Sequence, residues 1–154
     1  MPRYKEERSM FDVKEIAPEM TFDIRHTVLR PHQSLNDCIY NTDFFNDSFH
    51  VGLFHKEQLV SIASFNLERH PSINSDKQYH LRAMATLPSY RNMGAGRAVV
   101  NYAEERLKLN GFEIIWCNGR TSVQCYYEKL GFKSYGDIFD YPGLGPHIVM
   151  YKEL

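Results

Sequence analysis

One stretch constrains this chain more than any other, the run from His80 to Asn110, HLRAMATLPSYRNMGAGRAVVNYAEERLKLN. Leu81 to Leu87 has the composition of a strand, and Pro88 stops it because proline cannot donate to a sheet ladder. A glycine-bearing loop, Arg91-Asn92-Met93-Gly94-Ala95-Gly96, follows. A helix is predicted from about Gly94 to Asn110, with Gly111 as its left-handed stop. Val99, Tyr102, Ala103 and Leu107 recur at three- and four-residue spacing and predict its apolar face. Glu104 and Lys108 lie four apart and are expected to pair on the wet side. The first turn carries no Asp or Glu to settle the positive end of the helix dipole; Arg91 and Arg97 flank it instead. Glycine permits close backbone approach, and the orphan amides of a first turn point outward. Two readings fit: a tight strand-to-helix turn that merely needs glycine, or an anion seat, most simply for phosphate.

A second pattern lies downstream. Tyr126-Tyr-Glu-Lys-Leu-Gly-Phe132 follows a buried-strand run, Glu113-Ile-Ile-Trp-Cys117. Arg91-x-x-Gly94-x-Gly96, entered from Ala85-Thr-Leu-Pro88, resembles the coenzyme A signature of the GNAT superfamily of N-acyltransferases. The helix ending in Tyr127-x-x-x-Gly131-Phe132 resembles that superfamily's second motif, and the two occur in the family's order with a strand between them. The closing segment, Tyr141 to Met150, further resembles the ElaA-like branch. The resemblance implies an α/β GNAT-like fold, a mixed six- or seven-stranded sheet with helices on both faces, whose central parallel strands splay where the thioester enters. It also implies acetyl-CoA as co-substrate. Backbone groups of Met84, Ala85, Thr86 and Leu87 would meet the pantetheine arm. The amides of Asn92, Met93, Gly94, Ala95, Gly96 and Arg97 would hold the pyrophosphate, with Arg91 adding charge. Asn118 would bond the coenzyme's amides. Family members often carry Asn seven residues before the motif tyrosine, where this chain has Arg120.

Acyl transfer to an amine needs a neutral amine, a stabilised oxyanion and a proton for the departing thiolate. By resemblance, Tyr127 is the candidate acid toward the coenzyme sulfur. A phenol with a pKa near ~10 keeps its proton at neutral pH; the alternative is that Tyr127 only packs or hydrogen-bonds the coenzyme. Tyr126, beside it, is expected to face the core. No carboxylate lies between His80 and Thr86, which excludes a Glu base on that strand. His80 holds the family's base position and, titrating near ~6.5, either relays a proton through water or sits idle at the strand's exposed start. A regular strand puts His80, Arg82, Met84 and Thr86 on one face. Arg82 there either binds an acidic acceptor or forms a structural pair. His147 either faces the acceptor or is a satisfied core histidine. Cys117 and Cys125 would permit an acyl-enzyme, but neither has an evident base partner and both read better as small buried hydrophobes.

Composition sets the class. At 154 residues the chain is expected to form one domain, residues 1–154, and 43% apolar with 14% aromatic residues suffices for a core. A net charge of −1 gives no global argument for nucleic acid or membrane, and neither is expected as a partner. Three cysteines without a pairing pattern fit reduced thiols in a cytoplasm, and the seven histidines form no zinc motif. No apolar run reaches the ~18 residues of a membrane span, and the opening residues are no signal peptide. A homodimer is compatible with the sequence without being derivable from it.

In chain order, residues 1–10 are mostly charged and expected at the surface. Phe11, Val13 and Ile16 suggest a first strand, and Pro18 opens a helix to about Leu29 that buries Phe22, Ile24, Arg25, Val28 and Leu29. Ser34 to Asp47 is a short helical region with Leu35, Cys38, Ile39 and Tyr40 apolar. Phe44, Phe45 and Phe49 are core or lid residues, or else a wall for a substrate. Phe49 to His55 and Leu59 to Asn66 form a hairpin, and a polar loop follows. Thr121-Ser-Val-Gln124 reads as a capping box for a helix carrying Val123, Tyr126, Tyr127 and Leu130. Two last strands lie near Lys133–Phe139 and His147–Lys152. The expected function is a cytoplasmic acetyl-CoA-dependent N-acetyltransferase that acts on a primary amine by direct attack in a ternary complex. The alternative is a catalytically inactive acyl-CoA-binding sensor or interaction module. A dinucleotide-binding domain would want a third glycine that Gly94-Ala-Gly-Arg-Ala-Val lacks.

Overall fold

The computed structural model describes residues 10–154, so the expectation for residues 1–9 lies outside it. Seven strands form one sheet: β1 Phe11–Ile16, β2 Phe49–His55, β3 Gln58–Leu67, β4 Gln78–Thr86, β5 Ile114–Arg120, β6 Lys133–Tyr141 and β7 Gly145–Glu153. Their order is β1-β2-β3-β4-β5-β7-β6. Only β4 and β5 run parallel, joined by the crossover through helix α2, Ala95–Leu109; all other neighbours are antiparallel. The mixed sheet with helices on both faces is therefore the α/β architecture expected.

Alternation along the strands divides the core in two. Val51 and Leu53 of β2 with Ala63 and Phe65 of β3 face α2, meeting Val99, Val100, Ala103 and Leu107. Tyr127 and Leu130, on or just after the short helix α3, Gln124–Lys129, complete that face with Phe132. Ile16, Ile62 and Ala85 point the other way, against Ile24 of the helical segment over residues 18–29, here called α1. This segment is not one regular helix: a 3₁₀ turn, Pro18–Thr21, passes through Phe22–Ile24 into a wide π turn, Arg25–Leu29. Such π turns are concentrated at functional sites.

Several local expectations change. On α2, Tyr102 is exposed and Glu104 is buried, where Lys152 of β7 reaches its carboxylate at 2.6 Å; the pairing with Lys108 is absent because the nearer, partly buried cation wins. Ser34 to Asp47 contains two separate 3₁₀ turns, Leu35–Cys38 and Asn41–Phe44, with Leu35 and Ile39 exposed and Cys38 buried. Phe49 is a core residue stacked on Phe65 at 4.9 Å, whereas Phe44 and Phe45 are exposed and stand outside the main cavity. The Thr121 capping box does not form: its hydroxyl donates to the Pro146 carbonyl at 3.5 Å, and α3 starts without a side-chain cap. Val123 and Tyr126 are exposed on α3, and Cys125 is exposed while Cys117 is buried.

The lid over the α1 face hangs on one ion pair. Arg25 is fully buried and grips Asp43 through two bonds of 2.7 and 2.8 Å, while it also donates to the Cys38 carbonyl and to Ser64 Oγ. His50 joins through Ser64 Oγ and the Asp43 carbonyl. The Asp43 carboxylate additionally accepts from the Tyr40 amide at 2.9 Å. Removing one member of a buried pair leaves an uncompensated charge and costs about 3–5 kcal/mol. Asp43→Ala is therefore expected to lower stability by about that amount in urea melts, with a much smaller loss expected for exposed Asp12→Ala, paired to Lys14 at 3.7 Å. Equal losses in the two variants would show that the Arg25 network does not hold the lid.

Candidate active site

The β4–β5 seam decides where a ligand can enter. Register pairs join Gln78 to Ile114, Tyr79 to Ile115 and His80 to Trp116, and there the pairing stops. Beyond it β4 continues to Thr86 and β5 to Arg120 without bonding to each other. A bulge accompanies the parting: Ala83 has φ 52°, and the β3–β4 register slips between Ile62 and Ser64. The extra residue flips the alternation. Leu81 and Met84 consequently both face the α2 core, while Ala85 faces α1, so the regular-strand expectation for Met84 fails. Buried backbone groups require partners, so the unpaired edge of β4 is suited to an extended ligand with amide groups.

A cavity of about 730 Å³ fills this opening. Met84, Ala85 and Thr86 line it from β4, and Arg91, Asn92 and Gly94 from the loop. Ala95, Gly96 and Arg97 add the first turn of α2, and Asn118, Tyr127 and His80 stand around the seam. Leu87 and Met93 are not among its walls. Leu87 is spent elsewhere, its amide donating to Val60 and its carbonyl accepting from Tyr90, both at 2.9 Å.

The loop is built to present amides. Asn92 at φ 63° and Gly94 at φ 81° both adopt the left-handed region, which glycine enters without strain and asparagine tolerates better than most residues. The first α2 bond recorded runs from the Ala98 amide to the Gly94 carbonyl at 3.0 Å. The amides of the preceding turn thus have no helical acceptor, and no acid occupies that turn. Gly96 serves close approach: a β-carbon there would collide with the Tyr126 hydroxyl and sit 2.9 Å from Met84 Cε. Arg97 is partly engaged, donating to the Lys129 carbonyl at 2.6 Å and so tying α2 to the end of α3.

Tyr126, expected to face the core, is largely exposed, while Tyr127 is the buried tyrosine of the pair. Tyr127 is 8% exposed and Tyr126 is 41% exposed. Tyr127 packs edge-on to Phe132 and beside Gly119, where a β-carbon would come within 3.3 Å of its ring. Burial, then the Cys117 thiol and Tyr126, push its phenol well above the ordinary value near 10. Complete burial likewise drives the Cys117 thiol far up, against a thiolate nucleophile.

His80 is not at an exposed strand start. It is 3% exposed, and β4 begins three residues earlier than the apolar run suggests. Its ring stacks on Trp116 at 3.8 Å. Its Nδ1 faces Glu68 Oε1 at 3.5 Å, and Glu68 also accepts from Asn66 Nδ2 and lies 3.6 Å from Arg82. His80 first, then Asn66 and Arg82, hold the Glu68 carboxyl down to about 2 against the opposing effect of burial. For His80 itself burial outweighs Glu68, since the contact is long and Nδ1 forms no hydrogen bond, and its pKa is lowered. The ring is therefore neutral at pH 7, as a base must be. Nothing in the sequence pattern marks Glu68; the signal was the hairpin register, which pairs Asn66 with His80 and so carries Glu68 alongside. His147 lines the cavity too, and its Nδ1–H donates to the Gly145 carbonyl at 2.9 Å. Arg120 donates to the Leu29 carbonyl at 2.9 Å and braces α1.

Residues 12–132 match the model of the acetyltransferase (GNAT) family. The chain belongs to this family. The GNAT chain is 48% identical over 145 residues to the uncharacterized N-acetyltransferase YitI of Bacillus subtilis, covering 94% of this chain and 97% of that one. Escherichia coli ElaA shares the fold of this GNAT protein with a TM-score of 0.73 at 15% identity, over 94% of this chain and 100% of the other. An aminoglycoside 6'-N-acetyltransferase complexed with coenzyme A also shares it, with a TM-score of 0.74 at 15% identity, over 92% and 96%.

The lowered His80 pKa has a measurable consequence. Because folding lowers it, the unfolded chain takes up the proton first, and stability falls as pH drops below the unfolded value of about 6.5. The expected result from NMR titration of the imidazole protons is a midpoint below that of a model histidine. A midpoint above it would mean that Glu68, not burial, governs the ring.

Proposed function

We propose that this GNAT protein is an acetyl-CoA-dependent N-acetyltransferase that acts on a primary amine by direct attack in a ternary complex. One observation carries the reading: the amide-presenting turn of α2, the parted β4–β5 seam, Tyr127 and His80 all open on a single cavity. The first-turn amides and Arg91 suit a pyrophosphate, and the free edge of β4 suits the amides of a pantetheine arm. The coenzyme A bound in the aminoglycoside 6'-N-acetyltransferase of the same fold supports the assignment.

The reaction then runs in one displacement. His80, neutral and buried, takes a proton from the ammonium, directly or through water, and the freed amine attacks the thioester carbonyl carbon. A C–N bond forms, the nitrogen gives up its second proton to water, the tetrahedral oxyanion collapses and the C–S bond breaks. The electron pair leaves with sulfur. Tyr127 serves as the hydrogen-bond donor to that sulfur. Its raised pKa lies above the ~8.5 of an ordinary thiol, so the phenol stabilises the thiolate by O–H···S donation and keeps its own proton.

Calorimetric titration with acetyl-CoA, with NAD and ATP as controls, is expected to give micromolar binding of acetyl-CoA alone. A folded protein that ignores acetyl-CoA sinks the proposal. Gly94→Asp places a carboxylate at the anion seat and is expected to abolish that binding while the fold survives. Tyr127→Phe should lower kcat by about 10²-fold with acetyl-CoA affinity retained. Parallel loss of binding and turnover would make Tyr127 a coenzyme-binding residue.

A further inference from the structure

The charge lining the cavity on the α1 face of the sheet is one-sided. Alternation sends Trp116, Asn118 and Arg120 of β5 to this face, away from Cys117 and Gly119, which face α2 and Tyr127. His80 stacks on Trp116 and so shares it. Three guanidinium groups from three separate elements border the cavity: Arg82 on β4, Arg120 at the end of β5 and Arg30 just past α1. No Asp or Glu is among the cavity's lining residues.

Neutral groups hold Arg30 and Arg120 in place and leave most of their donors unused. Arg120 gives one bond to the Leu29 carbonyl. Arg30 gives one to the Tyr40 hydroxyl at 3.2 Å and one to Gln33 Oε1 at 2.8 Å, and its guanidinium lies 5.6 Å from the Tyr40 ring centroid. Each guanidinium has five N–H donors. Among the described residues, neither Arg30 nor Arg120 has a carboxylate within ion-pair distance. Arg82 has only Glu68, at 3.6 Å, and its Nε–H is buried without a hydrogen-bond partner. Two cations held by neutral acceptors and a third only loosely paired, with spare planar donors, match a carboxylate or phosphate group.

We propose that the acceptor of this enzyme is an amine that also carries an anionic group, a carboxylate or a phosphate, held by Arg82, Arg120 and Arg30 beside His80. This deepens the acetyltransferase reading above and rests on it. Fixed cations in a cleft concentrate anionic acceptors and repel polyamines. They also disfavour the ammonium form of the bound amine, which makes the nucleophile easier to free.

The test is thiol release from acetyl-CoA with amine pairs that differ in charge: glycine and glycinamide, β-alanine and β-alaninamide, O-phosphoethanolamine and ethanolamine, with putrescine as a cationic control. The anionic member is expected to exceed its neutral partner at least tenfold in kcat/KM, and the carboxylate and phosphate pairs separate the two sources of charge. Arg82→Gln and Arg120→Gln should each erode that preference through KM while calorimetry shows unchanged acetyl-CoA affinity. Arg120→Lys, which keeps the charge, should restore part of it. Equal or better turnover of glycinamide, ethanolamine or putrescine overturns the proposal, as does an arginine variant that slows both members of a pair alike. If no amine turns over, β-alanine and O-phosphoethanolamine titrated into the acetyl-CoA-loaded protein decide the matter, and failure of both to bind at millimolar concentration also overturns it. Failure of acetyl-CoA itself to bind is a separate result and removes the reading beneath.

Discussion

The parting of β4 from β5 after His80 and Trp116 is the constraint on which the site depends. A parallel pair that stayed bonded to its ends would satisfy both backbones and leave no entrance. The bulge at Ala83 turns Met84 toward α2 and Ala85 toward α1, so both layers remain packed while the seam opens. β3 stays paired with β4 on either side of the bulge and β7 stays paired along β5, which is how the sheet tolerates an internal gap. The cavity is thus framed by rigid elements, the condition for holding reacting groups in place.

Electrostatics is divided between the two faces. Toward α2 the loop supplies backbone amides and a helix dipole without a competing acid. Toward α1 the charges are side chains, and their surroundings separate their roles. Arg25 is buried inside the lid with a two-bond carboxylate partner, only its Nε–H lacking an acceptor, so it is structural. Arg30 and Arg120 are oriented by neutral groups, and Arg82 stands at 3.6 Å from its acid. His80 lies among them, stripped of water and kept neutral, with Glu68 near enough to feel it but too far to hold a proton on it. On the α2 side stands Tyr127, its hydroxyl protonated across the physiological range.

Local chemistry determined much of this by itself. Hydrophobic periodicity marked α2, and Pro88, Gly94 and Gly111 punctuated it to within a residue, because proline and left-handed glycine restrict the backbone wherever they occur. The same loop stood out by its glycines and the missing acid of its first turn, and resemblance of the Tyr-x-x-x-Gly-Phe pattern singled out Tyr127. The β2–β3 hairpin followed from its strand patterning, and the mixed sheet from the resemblance to the GNAT superfamily. What depended on more than one segment was not legible. Which of Tyr126 and Tyr127 is buried turns on how α3 lies against β5, where Gly119 leaves room for one ring. Glu104 pairs with Lys152 across the fold and not with Lys108 on its own helix, since a partly buried contact outcompetes a solvated one. His80 is buried because Trp116 covers it, and Glu68 reaches it only through the β3–β4 register. The sequence on its own determined the elements and the ligand-facing turn, which are matters of backbone geometry within a few residues. Only the tertiary structure decided the charge of the pocket and the protonation of its histidine, because desolvation and Coulomb interactions arise between groups far apart in the chain.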